Sequence, residues 1–102
     1  MPASAARFHD EASFEYDAAF DWYLQRSEEA ARNFDSEVNR AIQLIIESPQ
    51  RWPMGPYGTR RFLLRRFPFL LICRERTSPE IQIVAVAHTS RRPGYWKQRM
   101  QP

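Results

Sequence analysis

Apolar positions near the start of the chain recur at the spacing of an α-helix. Between residues 10 and 25 the steps from one apolar position to the next are four, three and four residues, which is the period of one helix face, at Ala12, Tyr16, Ala19 and Tyr23. This pattern predicts a helix over about residues 10–25. A short extended segment is predicted over residues 6–9, just before it.

A second apolar line follows the same predicted helix at i, i+4 and i+8, through Phe14, Ala18 and Trp22. One interpretation places these side chains in the core together with the first stripe. The other leaves them uncovered as a groove for a partner, because a domain of 102 residues has few elements that could cover two faces of one helix. The sequence leaves both interpretations open.

Residues 27–48 carry the pattern of a second helix. Ser27 is a suitable N-cap, and Glu28 and Glu29 favour the first turn because carboxylates interact well with the positive end of the helix dipole. The apolar stripe that follows consists of Ala31, Phe34, Val38, Ala41, Ile42 and Ile45. Pro49 ends the helix, since proline disfavours helical geometry at the residue before it. The short link between the two helices predicts an antiparallel hairpin.

The second half of the chain changes to strand patterning. A loop rich in proline and glycine over residues 49–59 precedes three apolar segments, which are Arg60–Arg66, Phe69–Arg76 and Ile81–His88. Their short links, including a turn over residues 77–80, predict an antiparallel meander. The predicted fold class is α+β in the order β-α-α-β-β-β. The helical hairpin packs on one face of a small, mainly antiparallel sheet, the other face is partly shielded, and residues 94–99 form a basic tail or short helix.

Charge is divided between the two halves of the chain. Residues 1–50 carry four arginines against ten carboxylates, a net charge of −6, whereas residues 51–102 carry eleven cations against two carboxylates, a net charge of +9. All cations except Lys97 are arginine, which favours bidentate contacts with phosphate or carboxylate groups. The basic half therefore predicts a phosphate-bearing or acidic partner.

Length and composition narrow the class of protein. Residues 1–102 are expected to form a single domain, and a hydrophobic content of 43% is enough for a core. No apolar run approaches the ~20 residues that cross a membrane, so we expect a soluble, unsecreted, cytoplasmic protein. Cys73 is the only cysteine and is predicted to be a buried small hydrophobe. We expect no metal site and no cofactor.

The residue types of the basic half would suit RNA cleavage. That reaction needs a base for the 2′-hydroxyl, cations for the phosphorane and an acid for the leaving 5′-oxygen. His88 is the side chain most easily poised near neutral pH, and Tyr95 offers a proton or a stacking face. Cations are available at Arg61, Arg65, Arg91 and Arg92. The reaction requires no metal ion.

Each of these residues also has a structural interpretation. His88 could cap a backbone group at the end of a strand, and the strand arginines could pair with the acidic helices. Tyr95 and Trp96 suit packing that pins the tail to the body. The same surface could instead bind an acidic protein without chemistry, since arginine and aromatic residues are typical interface anchors.

The order of these segments resembles the RelE/ParE toxin superfamily of bacterial type II toxin–antitoxin (plasmid-stabilisation) systems. The segments that carry the resemblance across residues 7–99 are Phe14–Tyr23, Ile45–Pro49, Arg60–Phe62, Arg66–Phe69, Ile83–His88 and Arg91–Trp96. Each segment is weak alone, whereas their order, spacing and total length are fairly specific. The resemblance implies a small α+β toxin that a cognate antitoxin neutralises.

Two mechanisms occur in this superfamily. RelE-like members cleave messenger RNA in the ribosomal A site, whereas ParE-like members are not nucleases and poison DNA gyrase. The chain resembles ParE-like members in its long hairpin, and it lacks equivalents of the RelE lysines, since Lys97 is its only lysine. The resemblance therefore favours a gyrase poison. A RelE-like mRNA endonuclease and a non-toxic antitoxin-binding homologue remain alternatives.

The expected sites follow from the residues and the resemblance together. For a RelE-like nuclease the catalytic residues would be Arg61, His88, Arg91 and Tyr95. Target or nucleic-acid binding is expected at Arg61, Arg65, Arg91, Arg92, Lys97 and Arg99. The antitoxin is expected beside the hairpin and over the arginine-rich sheet, on Phe14, Ala18, Trp22 and Arg61. Expected partners are the antitoxin and either gyrase or the ribosome with mRNA, in a homodimer or a toxin–antitoxin hetero-oligomer.

Overall fold

The computed structural model describes residues 5–76 and 80–100. Its helices and strands are β1 (Ala5–Phe8), α1 (Asp10–Leu24), α2 (Glu28–Glu47), β2 (Arg60–Leu63), β3 (Phe69–Glu75) and β4 (Glu80–His88). The predicted order and the α+β class are confirmed, and the basic tail forms only a short 3₁₀ turn at Lys97–Met100. Of the turn predicted over residues 77–80, residues 77–79 lie outside the described residues and Glu80 begins β4.

The strands form one sheet in the order β1-β4-β3-β2. The β2–β3 and β3–β4 pairs are antiparallel, as the predicted meander requires, whereas β1 lies parallel to β4 over residues 80–83. Parallel pairing needs a long crossover, which the helical hairpin and the meander supply. Since β1 ends at Phe8, the second half of β4 has no strand on that side among the described residues.

Both helices begin at capped residues. The Ser27 side chain accepts a hydrogen bond from the Ala30 N–H at 3.2 Å, which confirms the predicted N-cap of α2. His9 caps α1 in the same way, because its Nδ1 accepts the N–H of Glu11 at 3.0 Å. At its other end α2 leaves helical geometry directly before Pro49, as predicted.

The main core is aromatic and joins the hairpin to the sheet. Phe34 on α2 is fully buried. Its ring centroid lies 5.3–5.6 Å from the ring centroids of Tyr16, Tyr23, Phe67 and Phe69. Aromatic pairs at these separations stabilise a core beyond their buried area alone. One side chain of α2 therefore holds α1 and the β2–β3 turn together.

The C-terminal tail covers part of the opposite face of the sheet. Trp96 is only 4% exposed, and it packs with the buried side chains of Ile72, Val84, Ala85 and Ala87. A β-bulge at the pairing of Ile72 with Ala85 leaves Val84 as an extra residue of β4. The expected shielding of this face is confirmed, and so is the packing role of Trp96.

The strand predicted over residues 60–66 is shorter than expected, because the extended backbone stops after residue 63. Leu64 still donates its N–H to the Phe69 carbonyl at 2.9 Å, and its side chain is buried. The next two N–H groups belong to Arg65 and Arg66, and both donate to the carboxylate of Glu37 on α2. A helix carboxylate thus replaces a strand as the hydrogen-bond partner and ends β2.

One carboxylate ties the tail to the hairpin. Glu15 on α1 accepts two hydrogen bonds from the Arg99 guanidinium at 2.8 and 2.9 Å, one from the Tyr95 hydroxyl at 2.5 Å and one from the Val86 N–H at 3.0 Å. Arg99 also donates to the Val84 carbonyl at 3.0 Å. Glu15 and Arg99 therefore provide hydrogen-bond partners for the Val86 N–H and the Val84 carbonyl, on the side of β4 that β1 leaves unpaired.

The same contacts determine the ionisation of this cluster. Burial by itself raises the pKa of Glu15, but the hydrogen bonds from Arg99, Tyr95 and the Val86 N–H outweigh burial and hold that pKa below its ordinary range. Burial and the hydrogen bond to Glu15 raise the pKa of Tyr95, so its hydroxyl stays protonated. Glu15 and Arg99 form a charged pair whose side chains are 16% and 12% exposed.

Replacing Phe34 with alanine tests the aromatic core. We expect Phe34→Ala to lower the free energy of unfolding by about 3–5 kcal/mol, because it removes a large buried side chain and leaves a cavity. Phe14→Ala is the matched control, since Phe14 is 67% exposed and its loss should cost less than about 0.5 kcal/mol. Urea unfolding measures both, and equal effects would contradict this description of the core.

Replacing Glu15 with glutamine tests the tail anchor. We expect Glu15→Gln to lower the free energy of unfolding at pH 7 by about 2–4 kcal/mol, because the Arg99 guanidinium loses its carboxylate. Glu28→Gln is the control, since Glu28 pairs with Arg32 on the surface and should contribute less than about 1 kcal/mol.

The effect of Glu15→Gln should depend on pH. The pKa of Glu15 is lowered in the folded state, so its contribution is complete above the unfolded pKa of about 4.3 and is lost as pH falls through the folded pKa. The difference in stability between the wild-type protein and the variant should therefore shrink below about pH 5. A difference that stays constant from pH 7 to pH 3 would contradict the assignment.

Candidate functional site

A groove of about 440 Å³ lies between α1 and the junction of β3 with β4, and we call it the α1 groove. Its lining consists of Glu15, Ala18, Ala19, Trp22 and Tyr23 from α1, Pro68 and Phe69 at the start of β3, and Val86, His88 and Arg91 at the end of β4. The short side chains of Ala18 and Ala19 leave space beside α1, which forms part of the groove. The lining is mostly apolar, with polar groups at the end of β4.

The second apolar line of α1 is exposed, and two of its three residues, Ala18 and Trp22, line this groove. Phe14 is 67% exposed, Trp22 is 51% exposed, and Ala18 between them is exposed as well. The interpretation that placed these side chains in the core is wrong, because α1 buries its other face through Ala12 and Ala19. An exposed apolar surface that continues into a groove is typical of a partner-binding site.

Cationic side chains flank the apolar lining. The Arg91 guanidinium lies 3.8 Å from the centroid of the Tyr95 ring, a cation–π contact that orients it beside the groove. The Arg26 guanidinium lies 3.5 Å from the centroid of the Trp22 ring and donates to the Trp22 carbonyl at 2.9 Å. The carboxylate in the lining is that of Glu15, which Arg99 neutralises.

His88 lies in the lining where β4 ends. Its ring packs edge-on against Phe69, with the centroids 5.1 Å apart, and the side chain is exposed. Its Nδ1 accepts the backbone N–H of Ser90 at 3.1 Å, which is the capping contact that the structural interpretation predicted. His88 therefore has a local structural role while its exposed edge remains accessible to a partner.

Arg61 does not face the α1 groove. In the sheet register Arg61 pairs with Ile72, whose side chain packs under the tail, whereas His88 pairs with Phe69 on the hairpin side. Side chains alternate between the two faces of a sheet, so Arg61 and His88 lie on opposite faces. The expected antitoxin contact through Arg61 and the expected nuclease cation therefore lie outside this groove.

The other three nuclease candidates, His88, Arg91 and Tyr95, lie close together, but they are not arranged to surround a phosphate group. His88 and Arg91 share the α1 groove, and Arg91 stacks on Tyr95. The Tyr95 hydroxyl, however, donates to Glu15, and burial and this bond raise its pKa. The Glu15 carboxylate thus already accepts the proton that a nuclease would need Tyr95 to donate to the leaving oxygen.

The cations predicted for target binding are distributed over separate surfaces. The exposed ones are Arg61 and Arg65 at and after β2, and Arg91, Arg92 and Lys97 after β4. Arg99 differs from these, because its side chain is 12% exposed and bonded to Glu15. Arg99 supports the fold of the tail, whereas the other five present charge to solvent.

Three further expectations concern metals, membranes and the cysteine. Within residues 5–76 and 80–100, no three His, Cys, Asp or Glu side chains are grouped so that they could hold a metal ion. None of the described helices combines the length and the apolar character needed to cross a membrane. Burial raises the pKa of the Cys73 thiol to about 11, and the prediction of a buried structural cysteine is confirmed.

Two glutamates with structural roles, Glu15 in the α1 groove and Glu37 at the end of β2, were missed by sequence reasoning. Glu15 and Glu37 lie among acidic residues that the helical pattern assigns to solvent. A signal for Glu15 exists in its spacing, because it lies three residues after Ala12 and four before Ala19, both of which are buried. Small residues at those positions leave room for a carboxylate to reach the sheet.

Both the sequence and the fold of this chain are similar to those of known toxin–antitoxin proteins. The chain matches the family model of the ParE toxin of type II toxin–antitoxin system, parDE, over residues 6–93. A solved structure described as the chromosomal ParDE TA system from P. aeruginosa shares the fold with a TM-score of 0.69 and 21% identity, over 82% of this chain and 94% of that chain. No curated protein matches the chain significantly in sequence. Since the family model spans both helices, β2 to β4, all but the first residue of β1 and the α1 groove, this protein belongs to the ParE toxin family of type II toxin–antitoxin systems.

Proposed function

We propose that this toxin inhibits growth by poisoning DNA gyrase and that its cognate antitoxin silences it by filling the α1 groove. The observation that carries the antitoxin assignment is the uncovered apolar line of α1, where Phe14 and Trp22 are 67% and 51% exposed. A free surface of this kind favours association. The family supplies the expected partner, an antitoxin encoded beside the toxin.

The chemistry of the groove specifies the kind of segment that fits. Ala18 and Phe69 offer an apolar lining, and Arg26 and Arg91 offer positive charge beside it. An amphipathic segment with apolar anchors on one side and carboxylates on the other matches both features. Such a segment orders when it binds, so it needs a large contact area to offset the lost conformational entropy.

Support for gyrase over mRNA cleavage comes from what the candidate nuclease residues already do. Tyr95 is bonded to the Glu15 carboxylate, Arg61 lies on the opposite face of the sheet, and the chain lacks the lysines of RelE-like members. A ribonuclease needs its base, acid and cations around one phosphate. Binding to gyrase requires only a surface, which the exposed cations after β4 provide in Arg91, Arg92 and Lys97.

His88 and Arg91 are the specific observation that favours the ribonuclease alternative. Both line the same groove at the end of β4, and His88 is exposed. In a complex with the ribosome these two residues would be the ones to contact a phosphate. A variant of His88 therefore distinguishes the two mechanisms in a toxicity experiment.

Replacing Trp22 tests the antitoxin groove. We expect Trp22→Glu to weaken antitoxin binding by about 30-fold or more, because an exposed aromatic anchor that the antitoxin would cover is replaced by a carboxylate beside an acidic partner. Met54→Glu is the matched control, since Met54 is 58% exposed on a loop away from the groove and should change affinity less than about twofold. Titration calorimetry with the purified antitoxin measures both affinities. An unchanged affinity for Trp22→Glu would show that the antitoxin does not bind in the α1 groove.

Controlled expression in a sensitive bacterium tests the target. We expect DNA breaks with translation initially intact, and we expect His88→Ala to remain toxic. Rapid loss of protein synthesis with cut transcripts, relieved by His88→Ala, would instead establish the ribonuclease alternative. No effect on growth from a folded, soluble protein would favour a non-toxic antitoxin-binding homologue.

A further inference from the structure

β2 leaves one side of the sheet open. It is the last strand in the order β1-β4-β3-β2, and no strand of the described residues pairs with its outer side. Leu64 donates its N–H to β3 at Phe69, so Phe62 two residues earlier also faces β3. In an antiparallel ladder the residues between these face away, so Arg61 and Leu63 present their N–H and C=O groups to the open side.

A second cavity, of about 510 Å³, lies beside this edge between α2 and β2. Its apolar lining comes from Ala41, Leu44 and Phe62, and its cations are Arg40, Arg65 and Arg66. The carboxylate in the lining is that of Glu37, which is occupied by the two backbone N–H groups after β2 and by the Arg66 side chain. The surface that remains is apolar and positively charged.

Four exposed arginines surround this open edge, at positions 40, 61, 65 and 66. Among the described residues Arg40, Arg61 and Arg65 form no ion pair. Charged residues commonly protect an edge strand, and here they repel a second copy of β2. The same charges attract an acidic strand, so the edge discriminates between partners by charge.

The geometry points to β2 as a strand-addition site for an acidic, extended segment of the antitoxin, in a second contact separate from the α1 groove. This inference rests on the proposed function for the identity of the partner. Main-chain hydrogen bonds would form at Arg61 and Leu63, and carboxylates of the segment would meet Arg40 and Arg65. Apolar side chains of the segment would enter the cavity against Leu44.

The two surfaces are continuous along the chain. Arg65 and Arg66 line the cavity beside β2, and Pro68 and Phe69, two residues further, line the α1 groove. A single antitoxin chain that leaves the α1 groove therefore meets the β2 edge after crossing one turn. Two linked contacts raise the overall affinity, because the second one forms at a high effective concentration.

Amide hydrogen exchange tests the backbone contact directly. The probe is the protein encoded by the neighbouring antitoxin gene, in complex with the full toxin chain. We expect exchange at the N–H groups of Arg61 and Leu63 to slow by about tenfold or more in the complex. The N–H of Phe62 is the internal control, because it faces β3 and should be protected with and without the antitoxin.

Variants test the same edge through affinity. Leu63→Pro removes an outward N–H, which an edge strand tolerates, whereas Leu63→Ala shortens the side chain and keeps the donor. We expect Leu63→Pro to bind about tenfold more weakly than Leu63→Ala. The double variant Arg40→Glu, Arg65→Glu should lose about tenfold or more in affinity, whereas Arg76→Glu, at an exposed position after β3, should change affinity less than twofold.

The outcomes separate this inference from the proposed function. If the amides of Arg61 and Leu63 exchange equally fast with and without the antitoxin, although Trp22→Glu disrupts the complex, the antitoxin binds the α1 groove and not the β2 edge. If the edge variants abolish binding and Trp22→Glu does not, the antitoxin binds the β2 edge and not the α1 groove. If the antitoxin does not bind at all, both proposals are wrong. Displacement of the antitoxin from β2 by a 20-nucleotide single strand would reassign the edge to nucleic acid.

Discussion

The carboxylate of Glu15 is the point at which the helical hairpin, the uncovered edge of β4 and the C-terminal tail meet. It accepts four hydrogen bonds from Arg99, Tyr95 and the Val86 N–H, in a position where both charged side chains are nearly buried. A strand edge left without a neighbour needs partners for its N–H and C=O groups. Here the first helix and the tail supply them, so the tail is held against the body although it contains little regular structure. Removing the carboxylate would leave Arg99 without its anion and release the residues on which the orientation of Arg91 depends.

Charge is used in two ways in this small domain. The acidic half of the chain neutralises specific basic groups, as Glu15 does for Arg99 and Glu37 does at the end of β2. Other arginines line the two cavities with side chains that have no carboxylate partner among the described residues, namely Arg91 at the α1 groove and Arg40 and Arg65 beside β2. Because Arg99 neutralises Glu15 and Arg66 pairs with Glu37, the unpaired exposed cations dominate the surroundings of both cavities. An acidic partner therefore finds apolar lining and positive charge together, which is the combination that an amphipathic segment recognises.

The free toxin has to be stable in water and also keep an apolar surface exposed for its antitoxin. A free toxin must remain folded while Phe14 and Trp22 are exposed to water, and the aromatic cluster around Phe34 supplies stability that does not depend on a partner. The exposed aromatic residues then remain available for binding. Two of the candidate nuclease residues are not positioned for catalysis in the α1 groove, since Tyr95 is bonded to Glu15 and Arg61 lies on the opposite face of the sheet. A gyrase poison needs no such arrangement of catalytic groups, so the fold can use Tyr95 for its own stability.

The sequence by itself determined the helical hairpin, the order of helices and strands along the chain, the N-cap at Ser27 and the end of α2 before Pro49, because each depends on local spacing or on the chemistry of one residue. It also indicated that Phe14, Ala18 and Trp22 share a face of α1. Whether that face is buried depends on which faces of α1 the sheet and α2 cover, and they cover the face of Ala12 and Ala19 instead. Only the tertiary structure decided that β2 ends early at Glu37, that Glu15 anchors the tail, and that Arg61 and His88 lie on opposite faces of the sheet. These contacts join residues far apart in the chain, and one acidic side chain on a helix gives no local signal of which distant backbone group or arginine it will meet.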